Sequence, residues 1–136
     1  MGDVVRKVGR YVYTEGRKKD VINRGGEKIS SEEIENFILA HPKVENVCIV
    51  AMPDEVYGER ACAFVQPKAG HTIGFHELID FLAQKQIAKF KLPERLELVD
   101  SFPLSPAGKI LRRELRALIE RKLAAERAER TYKVAR

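Results

Sequence analysis

The stretch from Ser105 to Arg116, SPAGKILRRELR, contains the residue with the clearest potential for chemistry, Lys109. Ser105, Pro106 and Gly108 favour turns, so they predict a loop that ends at Lys109. Gly108 lets the backbone bend with no side chain in the way. Lys109 is therefore expected at the lip of a loop, free to point away from the helix predicted after it. Such a lysine is either a solvated surface group or a positive charge delivered to an anion.

The cysteines and histidines show no pattern typical of a metal site or a disulfide. Cys48 and Cys62 lie inside apolar runs without CxxC spacing, and His41, His71 and His76 are scattered along the chain. Two buried, reduced thiols are favoured over a disulfide or a metal centre. No metal ligand is predicted.

Composition limits the possible classes of protein. With 136 residues, 44% hydrophobic and 33% charged, the chain fits one domain and excludes a two-lobed enzyme. It has no signal peptide pattern and nothing near the roughly 20 consecutive apolar residues of a membrane span, so a cytoplasmic chain without a membrane partner is expected. Part of the net charge of +5 lies at residues 120–136, where six Lys/Arg face three Glu. This segment is predicted to be a basic helical tail that frays.

Hydrophobic periodicity predicts an α+β fold: a small three-stranded β-sheet flanked by helices, plus an N-terminal two-stranded hairpin. Strands are expected at residues 10–17, at 20–30 as a pair turned at Gly25 and Gly26, at 44–54, at 59–68 and at 93–100. One helix should begin after Ser30, which forms an N-cap pattern with Glu33. A second is expected at about 75–87 and a third from Ile110 into the tail. The predicted core positions, all apolar and spaced on one face of an element, are Ile34, Phe37, Ile38, Leu39, Val44, Val47, Ile49, Ala61, Ala63, Val65, Leu78, Ile79, Leu82, Leu96, Leu98, Leu111, Leu115 and Leu118.

Three segments occur in order: GRKKDVINRGGEKISSEEIE, HPKVENVCIVAMPDEVYGERACAFV and KFKLPERLELVDSFPLSPAGKILRREL. Together they resemble the C-terminal domain of the adenylate-forming superfamily, which comprises acyl- and aryl-CoA synthetases, adenylation domains of nonribosomal peptide synthetases, and luciferases. The likeness runs from about Gly2 to Leu118. INRGGEKI followed by KFKLP is most similar to the aryl-acid AMP ligases that activate dihydroxybenzoate or salicylate for siderophores.

The resemblance implies an acid–thiol ligase that uses ATP and Mg²⁺, both bound mainly by an N-terminal adenylation domain. In that family a carboxylate attacks the α-phosphate of ATP, and the thiol of phosphopantetheine, on coenzyme A or a carrier protein, then displaces AMP. Lys109 matches the catalytic lysine of the first step, where a cation between two anions lowers the barrier. The 136 residues alone are expected to be inactive.

The resemblance also assigns roles to other positions. Lys19 matches the hinge about which the small domain rotates. Arg17 and Asp3 match residues that contact the nucleotide. Asp3 would end a threonine-glycine-aspartate motif, but Met1 stands where that motif has threonine. Gly25 and Gly26 match the glycine loop that approaches the pantetheine channel. The implied organisation is a lid domain at residues 1–119, with its hinge near 17–20, followed by the tail at 120–136.

Two alternatives remain open from the residues. The chain can be a noncatalytic module that docks a carrier protein or another subunit. A domain that binds RNA is disfavoured, because the charge outside the tail is nearly balanced and no aromatic residues alternate with the basic ones.

Overall fold

The computed structural model describes residues 20–135. The expected strand at 10–17 and the positions Asp3, Arg17 and Lys19 lie outside the described residues. Within them, five strands, three helices and a short 3-10 turn at Lys89–Lys91 follow one another. Their bounds are β1 Val21–Arg24, β2 Glu27–Ser30, α1 Ser31–Leu39, β3 Val44–Asp54, β4 Gly58–Pro67, α2 Phe75–Ala83, β5 Arg95–Leu98 and α3 Arg112–Ala135.

Helix α1 begins where its capping residues predict. The Ser30 Oγ accepts a hydrogen bond from the backbone N of Glu33 at 3.3 Å, and Ser30 itself has an extended backbone. This satisfies one of the four N–H groups that a helix start leaves without a partner. Glu32 and Glu33 in the first turn also suit the positive end of the helix dipole.

The sheet is built around β3 and β4, a long antiparallel hairpin paired from Val44 with Pro67 to Asp54 with Gly58. The other edge of β4 is shared by two strands. β5 runs parallel to it over residues 62–65, and β1 meets it at a single pair between Arg24 and Gly58. β1 and β2 form the predicted hairpin. The expected α+β architecture of hairpin, three-stranded sheet and flanking helices is confirmed.

Alternate residues of β3 and β4 face opposite sides of the sheet, so each side has its own core. Helices α1 and α2 cover one side, where the central strands contribute Val47, Ile49, Ala61, Ala63 and Val65. Helix α3 covers the other. There the strands, the helix and the segment just before the helix contribute Cys48, Val50, Met52, Cys62, Phe64, Ile110, Leu115 and Ile119.

The sequence predicted the core positions of β3 and β4 beneath α1 and α2, but it missed Val50, Met52, Phe64 and Ile119 on the side of α3. Leu98, which it placed in the core, is 46% exposed. Helix α3 begins at Arg112 rather than at Ile110, because Ile110 is still paired with Leu104 in an isolated β-bridge. Its buried residue in the second turn is Ile119, whereas Leu118 is 41% exposed.

The prediction of two buried, reduced thiols is confirmed, since Cys48 and Cys62 are both buried and unbridged. Burial raises the pKa of Cys62 to about 12, and it raises the pKa of Cys48 further still. Neither thiol is therefore an available nucleophile.

The second half of α3 is attached to the sheet by charged side chains. Arg95 on β5 contacts Glu126 at 2.6 Å, and Lys122 contacts Glu97 at the same distance. That the end of the tail frays stays a prediction. In the part of the chain described by the structure, none of the helices is both long enough and apolar enough to cross a bilayer.

Candidate functional site

Lys109 lies at the end of a tight loop that is closed by its own backbone. The N–H of Ser105 donates to the carbonyl of Lys109, and the N–H of Gly108 donates to the carbonyl of Ser105, each at 2.8 Å. The Ser105 Oγ accepts from the N–H of Lys109 at 3.2 Å. Gly108 has a φ of +87°, a conformation that residues with a Cβ rarely adopt. The predicted turn chemistry therefore produces a defined loop.

This loop is fixed at its base and open at its end. Ile110, the next residue, is fully buried against the sheet, and the N–H of Leu111 donates to the carbonyl of Pro103 at 2.8 Å. Lys109 itself is exposed, and its ammonium group forms no ion pair with any residue between 20 and 130. The loop thus presents a compact positive charge on a long stem that has no ion-pair partner among residues 20–130.

Directly after this loop, Arg112 enters the interior with only 6% of its surface exposed. Its Nε lies 2.9 Å from Asp20 Oδ2, and its Nη1 lies 3.1 Å from Glu35 Oε2 and donates to the carbonyl of Ile49. Desolvation acts to lower the pKa of Arg112, but the nearby acids, Glu35 foremost, outweigh it and raise that pKa. For Asp20, burial dominates over the attraction of Arg112 and raises the carboxyl pKa.

Gly25 and Gly26 form the turn between β1 and β2, with φ values of +58° and +96°. Positive φ at both central positions is what a two-residue type I′ hairpin requires. The N–H of Gly25 donates to the carbonyl of Tyr57 at 2.8 Å, and a Cβ on Gly25 would lie 3.0 Å from Tyr57 Cδ1. A Cβ on Gly26 would meet nothing within 4 Å. Gly25 is therefore required by packing as well as by the backbone.

Tyr57 is held from several directions. The guanidinium of Arg24 lies 3.9 Å from its ring centroid and makes two hydrogen bonds to the carboxylate of Glu94, at 2.9 and 3.2 Å. Asp54 Oδ2 accepts from the N–H of Tyr57 at 2.8 Å. This bond is the main cause of the lowered pKa of Asp54. The glycine turn thus rests on a rigid support.

The structure does not bring all predicted site residues together. Lys109 precedes the helix on one side of the sheet, whereas Gly25 and Gly26 lie at the tip of a hairpin at the sheet edge. No hydrogen bond or ion pair between described residues joins the two segments. Arg112, Asp20 and Tyr57 were not singled out from the sequence. Nothing in the sequence distinguishes Arg112 from Arg113 and Glu114, the charged residues that follow it.

The chain is thus a small α+β domain with a lysine on a Gly-Lys loop and a glycine hairpin at the sheet edge. Its similarity to known proteins identifies the class to which such a domain belongs. The model of the AMP-binding enzyme C-terminal domain matches residues 33–109, more than half of the chain. The chain belongs to this family of adenylate-forming enzymes.

Individual relatives are similar over most of the chain. The 2,3-dihydroxybenzoate-AMP ligase of Bacillus subtilis (strain 168) is 46% identical over 125 residues, which is 91% of this chain and 23% of the relative. The medium-chain fatty-acid–CoA ligase of Escherichia coli (strain K12) is 44% identical over 120 residues, 88% of this chain and 21% of the relative. This chain therefore spans less than a quarter of the length of these relatives.

The structural comparison agrees with the sequence comparison. The apo structure of MbtA from Mycobacterium smegmatis superimposes with a TM-score of 0.69 and 37% identity, covering 72% of this chain and 18% of that one. The fold and the family are thereby established together.

Proposed function

We propose that this chain is the mobile C-terminal domain of an ATP-dependent acid–thiol ligase. The ligase forms an acyl- or aryl-adenylate and then a thioester on phosphopantetheine. The observation that carries this proposal is Lys109, an exposed cation without an ion-pair partner among the described residues, fixed on a closed loop in a member of this family.

In the first step, an oxygen of the substrate carboxylate bonds to the α-phosphorus of ATP while the bond to pyrophosphate breaks. Both reactants are anions, so their approach is opposed by repulsion and negative charge shifts between them as the reaction proceeds. A preorganised cation at that point stabilises the transition state more than the separated reactants. Lys109 supplies the cation, and its long stem lets it reach beyond the surface of its own domain.

In the second step, the thiol gives its proton to solvent, its sulfur bonds to the acyl carbon, and AMP leaves with the electrons of the broken bond. Lys109 is not needed for this step, and the domain rotates about the hinge at Lys19 to present Gly25 and Gly26 instead. Glycine allows the backbone to approach the pantetheine arm closely. Arg17 and Asp3 complete the nucleotide contacts.

The partners follow from this chemistry. The main partner is the N-terminal adenylation domain, which binds ATP with Mg²⁺ and the acid. The acid class that the resemblance favours is an aryl acid such as 2,3-dihydroxybenzoate, used in siderophore biosynthesis, and the acceptor is a carrier protein or coenzyme A. We place the enzyme in the cytoplasm, where ATP is supplied.

The test joins this chain to the large domain of the Bacillus subtilis 2,3-dihydroxybenzoate-AMP ligase, in place of the segment that aligns with it. Acid-dependent pyrophosphate release measures the first step, and thioester formation from added aryl-adenylate measures the second. Lys109→Ala should slow the first step by about 10²- to 10³-fold and leave the second unchanged. Arg113→Ala, which removes an exposed cation four residues away, is the matched control.

Two results would contradict the proposal. One is pyrophosphate release that is as fast with Lys109→Ala as with the unmodified fusion. The other is a fusion that binds carrier protein yet releases no pyrophosphate, which would favour a noncatalytic docking module.

A further inference from the structure

Arg112 links the Lys109 loop to two distant segments of the chain. It is the first residue of α3 and follows Lys109 by three residues, so the loop and the helix start share a short, tightly bonded segment. Its guanidinium contacts Asp20, which directly precedes β1, and Glu35 in the middle of α1. One side chain thereby joins the base of the Lys109 loop to two segments distant in sequence.

Asp20 is held on its backbone as well as on its side chain. Its carbonyl accepts a hydrogen bond from the N–H of Ser31, the first residue of α1, at 3.1 Å. Asp20 is bonded to α1 through its carbonyl and paired with α3 through Arg112, so bending of the backbone at Asp20 itself would break these contacts.

Stability alone does not explain this arrangement. Replacing a whole buried ion-pair group with apolar side chains of similar volume is often neutral or stabilising, so apolar residues at 20, 35 and 112 together could pack this interior as well. Apolar side chains, however, do not impose a defined orientation on the segment that carries them. A guanidinium that pairs with two carboxylates and donates to a backbone carbonyl sets the position of the segment in which it lies.

We infer that Arg112 is a positioning residue, which holds the Lys109 loop in a fixed orientation relative to Asp20 at the edge of the hinge. This inference rests on the proposed function. When the domain turns, the loop follows as part of the same rigid body, and Lys109 arrives at the α-phosphate in a reproducible position. Loss of the link leaves the lysine present but misplaced, and a misplacement of about 1 Å can slow a reaction by about a hundredfold.

The test uses the same fusion enzyme and separates positioning from stability. Arg112→Lys keeps the charge without the planar fork, and Asp20→Asn removes one carboxylate charge while leaving Glu35 in place. Each should lower kcat for pyrophosphate release by about ten- to a hundredfold, with the KM for ATP and the thioester step unchanged. Arg95→Lys is the control, because Arg95 also pairs with two carboxylates but lies on β5.

The decisive measurement is made in the Lys109→Ala background. A residue that acts only through Lys109 has nothing left to position there, so Arg112→Lys should cause no further loss. Equal further loss in both backgrounds, or a fall of both half-reactions with the thermal unfolding midpoint, would overturn the inference. If Arg112→Lys does not fold, Asp20→Asn decides by the same criteria.

Failure of the inference can be distinguished from failure of the proposed function. A fusion whose pyrophosphate release does not depend on Lys109 refutes the proposed function, and this inference with it. A fusion that depends on Lys109, but in which Asp20→Asn and Arg112→Lys behave like Arg95→Lys, refutes the inference alone.

Discussion

Replacing Gly25 with alanine tests whether the glycine turn is specified by its backbone, by its packing, or by both. At a φ of +58°, an L-residue is in the left-handed region, and the added Cβ would lie 3.0 Å from Tyr57 Cδ1. The ring of Tyr57, which is 40% exposed, must shift to make room, and this shift disturbs the stacking of Arg24 on it. Both effects therefore act against the folded state.

The magnitude follows from three contributions to the free energy of unfolding. The left-handed conformation costs an alanine about 1–2 kcal/mol. Pushing Tyr57 off its preferred rotamer costs about 0.5–1.5 kcal/mol. The more restricted unfolded chain of an alanine variant returns about 0.4–1 kcal/mol. Gly25→Ala should thus lower the free energy of unfolding by about 0.5–3 kcal/mol, which for a chain of this size lowers the unfolding midpoint by about 3–5 °C for each kcal/mol.

Urea unfolding of the purified chain measures this value, and a double-mutant cycle separates its parts. In a Tyr57→Ala background the crowding is gone, so Gly25→Ala should cost only the backbone contribution. A cost that is the same in both backgrounds would refute the packing argument. In the fusion enzyme, Gly25→Ala should slow thioester formation and leave pyrophosphate release unchanged, because only the second step uses this turn in the proposed mechanism.

Two further predictions concern stability alone. His41 is 5% exposed, and burial lowers its pKa from an ordinary value of 6.5, against the smaller opposing effect of Glu77. Because folding favours the neutral imidazole, His41 contributes its full stabilisation above about pH 6.5, and this contribution is lost as the pH falls through the lower pKa of the folded state. Urea unfolding at several pH values should show this pH dependence, and His41→Gln should abolish it. Ile119→Ala empties a fully buried position and should cost about 2–5 kcal/mol, whereas the neighbouring Leu118→Ala should change the free energy of unfolding by no more than about 0.5 kcal/mol. If the two substitutions lowered the thermal unfolding midpoint equally, the face of α3 assigned to the sheet would be wrong.

The parts of the fold that depend on local rules were predictable from the sequence. The capping pattern of Ser30 and Glu33 marks the start of α1, and the two glycines mark the hairpin turn. The alternating apolar residues of β3 and β4 identified the face that α1 and α2 cover, although not the buried face beneath α3, and the Gly-Lys sequence identified the loop. In each of these cases the physical cause lies within a few residues of its effect.

The features that the sequence did not predict depend on contacts between segments distant in sequence. Nothing near Arg112 in the sequence indicates that its partners are Asp20 and Glu35. The parallel pairing of β5 with β4 likewise has no local signal. Leu118 and Ile119 are adjacent and similarly apolar, so only the orientation of α3 on the sheet decides which one is buried.

Rigidity of the domain is the property on which the proposed mechanism turns. Lys109 and Gly25 belong to different elements and share no bond, so one rotation can exchange them at a common site only if both move as one body. Arg112 ties the lysine loop to Asp20, and Tyr57 ties the glycine turn to the β3–β4 hairpin. With these links intact, the described part of the domain can move as one body, since packed interiors resist gradual deformation. With either link broken, one half-reaction should lose its geometry while the other keeps it.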